Sequence, residues 1–116
     1  MVKKVLICLY GNEVAPRFDL ATEVMIASAG SDGSVEERTV VLPHASAEKL
    51  CHVVLTEDVQ VVICGGIEEE YYQYLTWKRV LVIDSVMGPY ELVLDRFREG
   101  NLKAGDILFQ KSPEAV

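Results

Sequence analysis

A chain of 116 residues, half of them hydrophobic and a quarter charged, has the length and composition of one domain able to bury a core. A net charge of −7 without any basic block excludes sequence-independent binding to nucleic acid or to an anionic membrane, since both need a surplus of Lys and Arg on some face. The apolar run Val5 to Tyr10 is too short for a signal sequence or a membrane span, so a soluble cytoplasmic protein without a membrane partner is expected.

Residues 3–10, KKVLICLY, are apolar and β-branched enough for a strand buried on both faces. The stretch YGNEVAPRFDLATEVMI, residues 10–26, then interrupts the apolar run with Gly11, Asn12 and Pro16. Its one large ring, Phe18, stands between Arg17 and Asp19, and a phenylalanine so placed is expected to anchor the loop in the core. Residues 22–29 and 35–42 read as two strands joined by the turn cluster AGSDGS. Ser46 caps a helix running to about Thr56, with Ala47, Leu50, Cys51, Val54 and Leu55 on one stripe and His52 off it.

Residues 59–64 form a further buried strand, and Gly65-Gly66 leads into a helix over about 68–77. Residues 79–84 repeat the strand pattern. Gly88-Pro89 opens a third helix that Gly100 closes. The tail, 103–116, holds ILF as a short added strand and then a polar end expected to be mobile. This order predicts a single α/β domain over 1–102: a five-stranded mixed sheet with helices packed on it, in a ribonuclease H-like topology. Its first and fourth strands are expected to be parallel neighbours.

Ligands of open α/β sheets gather beyond the carboxyl ends of the parallel strands. Loops 11–20 and 64–69 are expected to meet there. Gly65 and Gly66 permit close approach of a ligand or of another backbone, and the amides opening the following helix can receive an anion, or the segment is a plain strand-to-helix turn. Glu68, Glu69 and Glu70 already occupy that turn and compete with an anion for the helix dipole.

Metal-dependent nuclease chemistry requires carboxylates on the first strand, and KKVLICLY has none. Glu13, Asp19, Glu23 and the Glu68 to Glu70 run read as solvated acids. Cys8 and Cys64 stand where neighbouring strands bring them to one end of the sheet, either as soft ligands for a metal–sulfide cluster or as core thiols. Cys51 lies on the helix stripe as a core residue, and no CxxC pair occurs. His44 has no second histidine at ligand spacing. With no nucleophile–base pair, an enzyme is not expected. Tyr71, Tyr74 and Trp77 share a helix face that is expected to pack on the sheet, with Tyr72 pointing elsewhere; a partner surface is the other use of such aromatics.

Taken together, these residues resemble the dinitrogenase iron-molybdenum cofactor biosynthesis family. That family opens with a strand and a Gly-containing loop, followed by a pattern close to V-x-x-H-F-G-x-A-x-x-F, against which Val14, Phe18 and Ala21 stand in register. Cys64, Gly65, Gly66 and Ile67 match its later strand end, and LDRFREGNL, residues 94–102, its last helix. Arg17 replaces the family's frequent histidine, Asp19 a glycine, Leu20 an arginine and Val24 an aromatic, while Glu68 to Glu70 replace small residues.

The resemblance implies a non-catalytic carrier or scaffold for an iron-sulfur or molybdenum-containing cluster, monomeric or weakly dimeric, with a cofactor-assembly protein as partner. Gly11, Asn12, Arg17, Phe18, Asp19, Cys64, Gly65, Gly66 and Ile67 are the site it implies, with Cys64 and Cys8 as metal ligands. The alternative is an interaction or regulatory domain of the same fold that has lost cluster binding.

Overall fold

The computed structural model describes residues 4–30 and 32–109. The expectations for residue 3, for Ser31 in the turn and for the polar end from residue 110 lie outside the described residues.

In chain order the elements are β1 (Lys4–Tyr10), β2 (Glu13–Val14), a 3-10 turn (Phe18–Leu20), β3 (Glu23–Ala29), β4 (Val35–Val41), α1 (Ala47–Thr56), β5 (Val61–Ile63), α2 (Glu69–Trp77), β6 (Leu81–Ile83) and α3 (Tyr90–Arg98). The strands lie in the order β4-β3-β1-β5-β6, with β2 paired to β1. β1 is antiparallel to β3 and parallel to β5, so the expected neighbours are neighbours. The sheet has six strands rather than five. The extra one folds back on Leu9 and Tyr10 through Gly11, whose φ of 63° suits the first position of a two-residue hairpin turn. Two residues are too few to show a period, which is why the sequence hides this strand.

Strand alternation sorts the core into two layers. Leu6, Cys8, Val24, Ile26, Val62 and Cys64 share one cluster with Leu50, Cys51 and Val54 of α1 and Leu75 of α2. Val5, Ile7, Leu9, Met25, Val61 and Ile63 meet Val93 and Leu94 of α3 in the other. Two helices therefore cover one face of the sheet and one covers the other. The edge strand β4 is largely exposed, and its Glu36, Glu37 and Arg38 discourage pairing with another chain.

Ser46 accepts from the Lys49 amide at 3.2 Å and caps α1 as expected. The aromatic stripe of α2 is turned from the expected direction. Leu75 is its buried residue, and Tyr71 and Tyr72, four and three positions earlier, pack half-buried against the same cluster. Tyr74 and Trp77 face solvent, Trp77 at 74% exposure. Leu75 takes the core-facing position, and Tyr71 and Tyr72, at i−4 and i−3 from it, share its side of the helix.

All three helices end in the same way. Val59 donates to Val54 and Asp58 to Leu55 after α1, Val80 to Leu75 and Arg79 to Thr76 after α2, and Asn101 to Arg96 and Gly100 to Phe97 after α3. The residue at the pivot is left-handed each time, with φ of 57° at Asp58, 67° at Arg79 and 80° at Gly100. Glycine is the usual occupant, and a residue with a Cβ costs about 1 kcal/mol or more there.

After α3 the chain returns to the sheet. The ILF segment makes a single parallel bridge, Met87 to Ile107, in which Leu108 donates to Met87 at 2.9 Å. Gly88 lies so close that a Cβ on it would meet the Leu108 carbonyl oxygen at 2.5 Å.

Candidate functional site

The loop after β1 and the loop after β5 meet at the carboxyl end of the parallel strands. Main chain holds them together: the Phe18 amide donates to the Gly66 carbonyl at 2.8 Å and the Gly66 amide to the Pro16 carbonyl at 2.7 Å, which bridges Arg17 to Gly66. Gly65 makes the approach possible. A Cβ there would lie 2.3 Å from the Pro16 oxygen and 2.4 Å from the Ala15 oxygen, whereas one on Gly66 would meet only the Pro16 oxygen at 3.6 Å. Of the two uses a Gly-Gly pair allows, Gly65 admits another backbone.

Phe18 is the anchor the sequence predicts, 1% exposed in the cluster under α1 and α2, with its ring 6.3 Å from that of Tyr71. Its neighbours stay outside. The Arg17 guanidinium forks onto Asp19, Nε and Nη2 each donating to a carboxylate oxygen at 2.9 Å. The hydrogen bonds and charge of Asp19, and then the charge of Glu68, hold Arg17 above its ordinary pKa. Much of the positive charge at this rim is therefore answered within the chain.

Ile67 packs half-buried on the core beside Gly66. Gly11 and Asn12 are held elsewhere: the Tyr90 amide at the start of α3 donates to the Asn12 carbonyl at 2.9 Å, and both residues line a cleft with Glu23, Arg38 and Tyr90. The hairpin tip and the Arg17 rim are separately anchored parts of one end of the sheet.

Cys8, Cys51 and Cys64 are all buried thiols in one core cluster. Burial raises the Cys8 pKa well above the ordinary thiol value, with the charges of Cys64 and Cys51 adding to it. Burial and then Asp84 push Cys64 up to about 12, and burial and then Glu48 push Cys51 to about 11. A metal–sulfide cluster needs thiolates, which this environment opposes. Among the described residues, no three His, Cys, Asp or Glu side chains converge as a metal site. The described side chains thus do not form a coordinating cage for a cluster.

A third loop, which sequence reasoning missed, completes this end. The Val14 amide donates to the Gly88 carbonyl at 3.0 Å, Ser85 to Gly65 at 2.9 Å and Val86 to Cys64 at 3.1 Å. Ser85 sits at a φ of 59°, a left-handed residue without glycine's freedom. Gly88-Pro89 was the available signal, but it reads equally as a helix start.

Fold and site define a small mixed α/β domain that presents laced loops at the carboxyl end of its parallel strands. Residues 1–100 match the model of the Dinitrogenase iron-molybdenum cofactor family, and the chain belongs to that family. Its fold is similar to those of several solved structures. PH0822 superimposes with a TM-score of 0.78 at 18% identity, over 87% of this chain and 93% of that one. A candidate dinitrogenase from Methanocaldococcus jannaschii gives 0.70 at 23%, over 89% and 94%. The apo form of the orange protein from Desulfovibrio gigas gives 0.66 at 18%, over 88% and 92%. Among curated proteins no sequence match is found. No helix of the described residues is long and apolar enough to cross a membrane.

Proposed function

We propose that this chain is a non-catalytic carrier or scaffold for an anionic metal–sulfur cofactor or its molybdenum-containing precursor, which it holds as cargo at the Arg17 and Gly66 rim. Membership of the cofactor family supports the class of cargo. The lacing of loops 15–18 and 65–66 carries the reading, because it fixes Arg17 at the end of the sheet where open α/β folds bind ligands. Holding is by charge and hydrogen bonds, since the buried thiols are set against ligation. The Arg17 side chain is half exposed, so its fork on Asp19 is a surface pair that an incoming anion can replace.

Anaerobic titration with thiomolybdate and with iron–sulfide species, followed by absorption spectra and elemental analysis, tests the reading. Arg17→Glu is expected to abolish binding with the fold intact, and Arg17→Lys to weaken it because an ammonium lacks the planar fork. Reversal at Arg98, on α3, is expected to leave binding unchanged. Equal binding by both reversals would remove Arg17 from the site.

A second reading is favoured by the solvent-facing aromatics of α2, Tyr74 and Trp77, with the Lys78 ammonium 4.8 Å from the Trp77 ring centroid. On that reading the domain has lost cluster binding and meets a cofactor-assembly protein through α2. A wild type that takes up no metal, together with loss of that protein's binding on Trp77→Ala, selects it.

A further inference from the structure

At the opposite end of the sheet, a cleft of about 560 Å³ opens between the ends of α1 and α2, within the range of small-ligand sites. Lys4, Asp58, Gln60, Lys78 and Arg79 line it, with Val80 among its apolar walls. Three cations against one acid is an unusual concentration in a chain of net charge −7.

The cleft is open, with Asp58, Gln60, Lys78 and Arg79 exposed, and the pivots of the helix endings add a second observation to it. Three helices share one ending, and only α3 fills its pivot with glycine. Asp58 and Arg79 occupy the other two in the left-handed conformation, and both line this cleft. A side chain held left-handed where glycine is usual invites a role for that side chain, more so at Arg79 than at Asp58, since aspartate tolerates this conformation. Helix dipoles account for a cation at the end of α2 but not for a carboxylate at the end of α1. Nor does pairing explain them, since among the described residues neither Asp58 nor Arg79 is in an ion pair. Lys4 is held in place, its ammonium donating to the Glu57 carbonyl at 2.9 Å and its amide to the Gln60 side-chain oxygen at 3.1 Å.

We infer that this cleft binds a small oxyanion, the phosphate or carboxylate group of an organic metabolite bearing a hydroxyl. Arg79 supplies a forked donor, Lys4 and Lys78 supply charge, and Asp58 accepts from the hydroxyl. The site is independent of the loop rim at the other end of the strands.

Trp77, the sole tryptophan, provides the readout, because Lys78 lies over its ring and lines the cleft. The full chain is titrated with pyrophosphate and with citrate against sodium chloride at matched ionic strength, following fluorescence and Tm. A saturable response beyond chloride is expected for at least one; pyrophosphate alone assigns a phosphate ligand and citrate alone a carboxylate. Arg79→Gly is expected to raise the Tm of the free protein while weakening binding about tenfold or more. Lys4→Gln should weaken binding without raising Tm and serves if the first variant folds poorly. A response no greater than chloride, wild-type affinity in both variants, or a lowered Tm in a folded Arg79→Gly overturns the inference.

Discussion

The two faces of the sheet differ in what is anchored to them. The face under α1 and α2 holds Phe18, the three cysteines and Leu75 with almost no exposure, and the Arg17 loop is pinned into it. The face under α3 has one helix and the returning ILF segment for cover; Ile7, Ile63 and Val93 are as fully buried there, but no residue of loop 15–18 belongs to it. The first face is therefore where a lost contact is felt at the loop rim, and the second is remote from it.

The largest effect is expected at the seam between rim and core. Gly65→Ala drives a Cβ into two carbonyl oxygens and should cost more than about 4 kcal/mol, against about 1 kcal/mol or less for Gly66→Ala, in urea unfolding midpoints. A similar loss at both glycines would deny Gly65 its special place. Next comes the direct contrast of faces: Phe18→Ala should cost about 3–5 kcal/mol and half-buried Phe97→Ala about 1–2 kcal/mol, measured in the same way.

The thiols sharpen the comparison through pH. A pKa raised on folding means the native state keeps a proton that the unfolded chain loses, so stability is full below about 9 and falls as pH rises. For Cys64 the window runs from about 9 to about 12 and for Cys51 from about 9 to about 11. Within it each buried thiol costs about 1.4 kcal/mol per pH unit, so Cys64→Ala should show a shallower alkaline decline than wild type. Identical declines would mean that the Cys64 thiolate is accommodated. The smallest effect is expected at Arg17→Ala, which should leave Tm unchanged because the fork on Asp19 is exposed; a clear drop would make the fork structural.

What could be read from the sequence was whatever repeats over several residues. The continuous apolar run in KKVLICLY and the capped stripe after Ser46 are long enough to reveal element type, and Phe18 between two charges had little use other than burial. The partnership of β1 and β5 followed from the order of elements. β2 and the Met87 bridge involve one or two residues whose pairing depends on distant chain. The face of α2 was misjudged because apolar rings occupy several sides of a nine-residue helix, and the burial of Leu75 decides among them. The site shows the same division. Gly65-Gly66 announced a close approach but not its partner, and the protonated state of Cys8 and Cys64 depends on packing that no spacing reveals.

Because the rim is laced by main-chain hydrogen bonds and a glycine contact, its shape asks little of the side chains at positions 17, 19 and 68. Those positions are interchangeable fittings on a fixed frame. An engineer can rewrite them together, for example Arg17→His with Asp19→Gly, and install a new recognition chemistry without rebuilding the domain beneath.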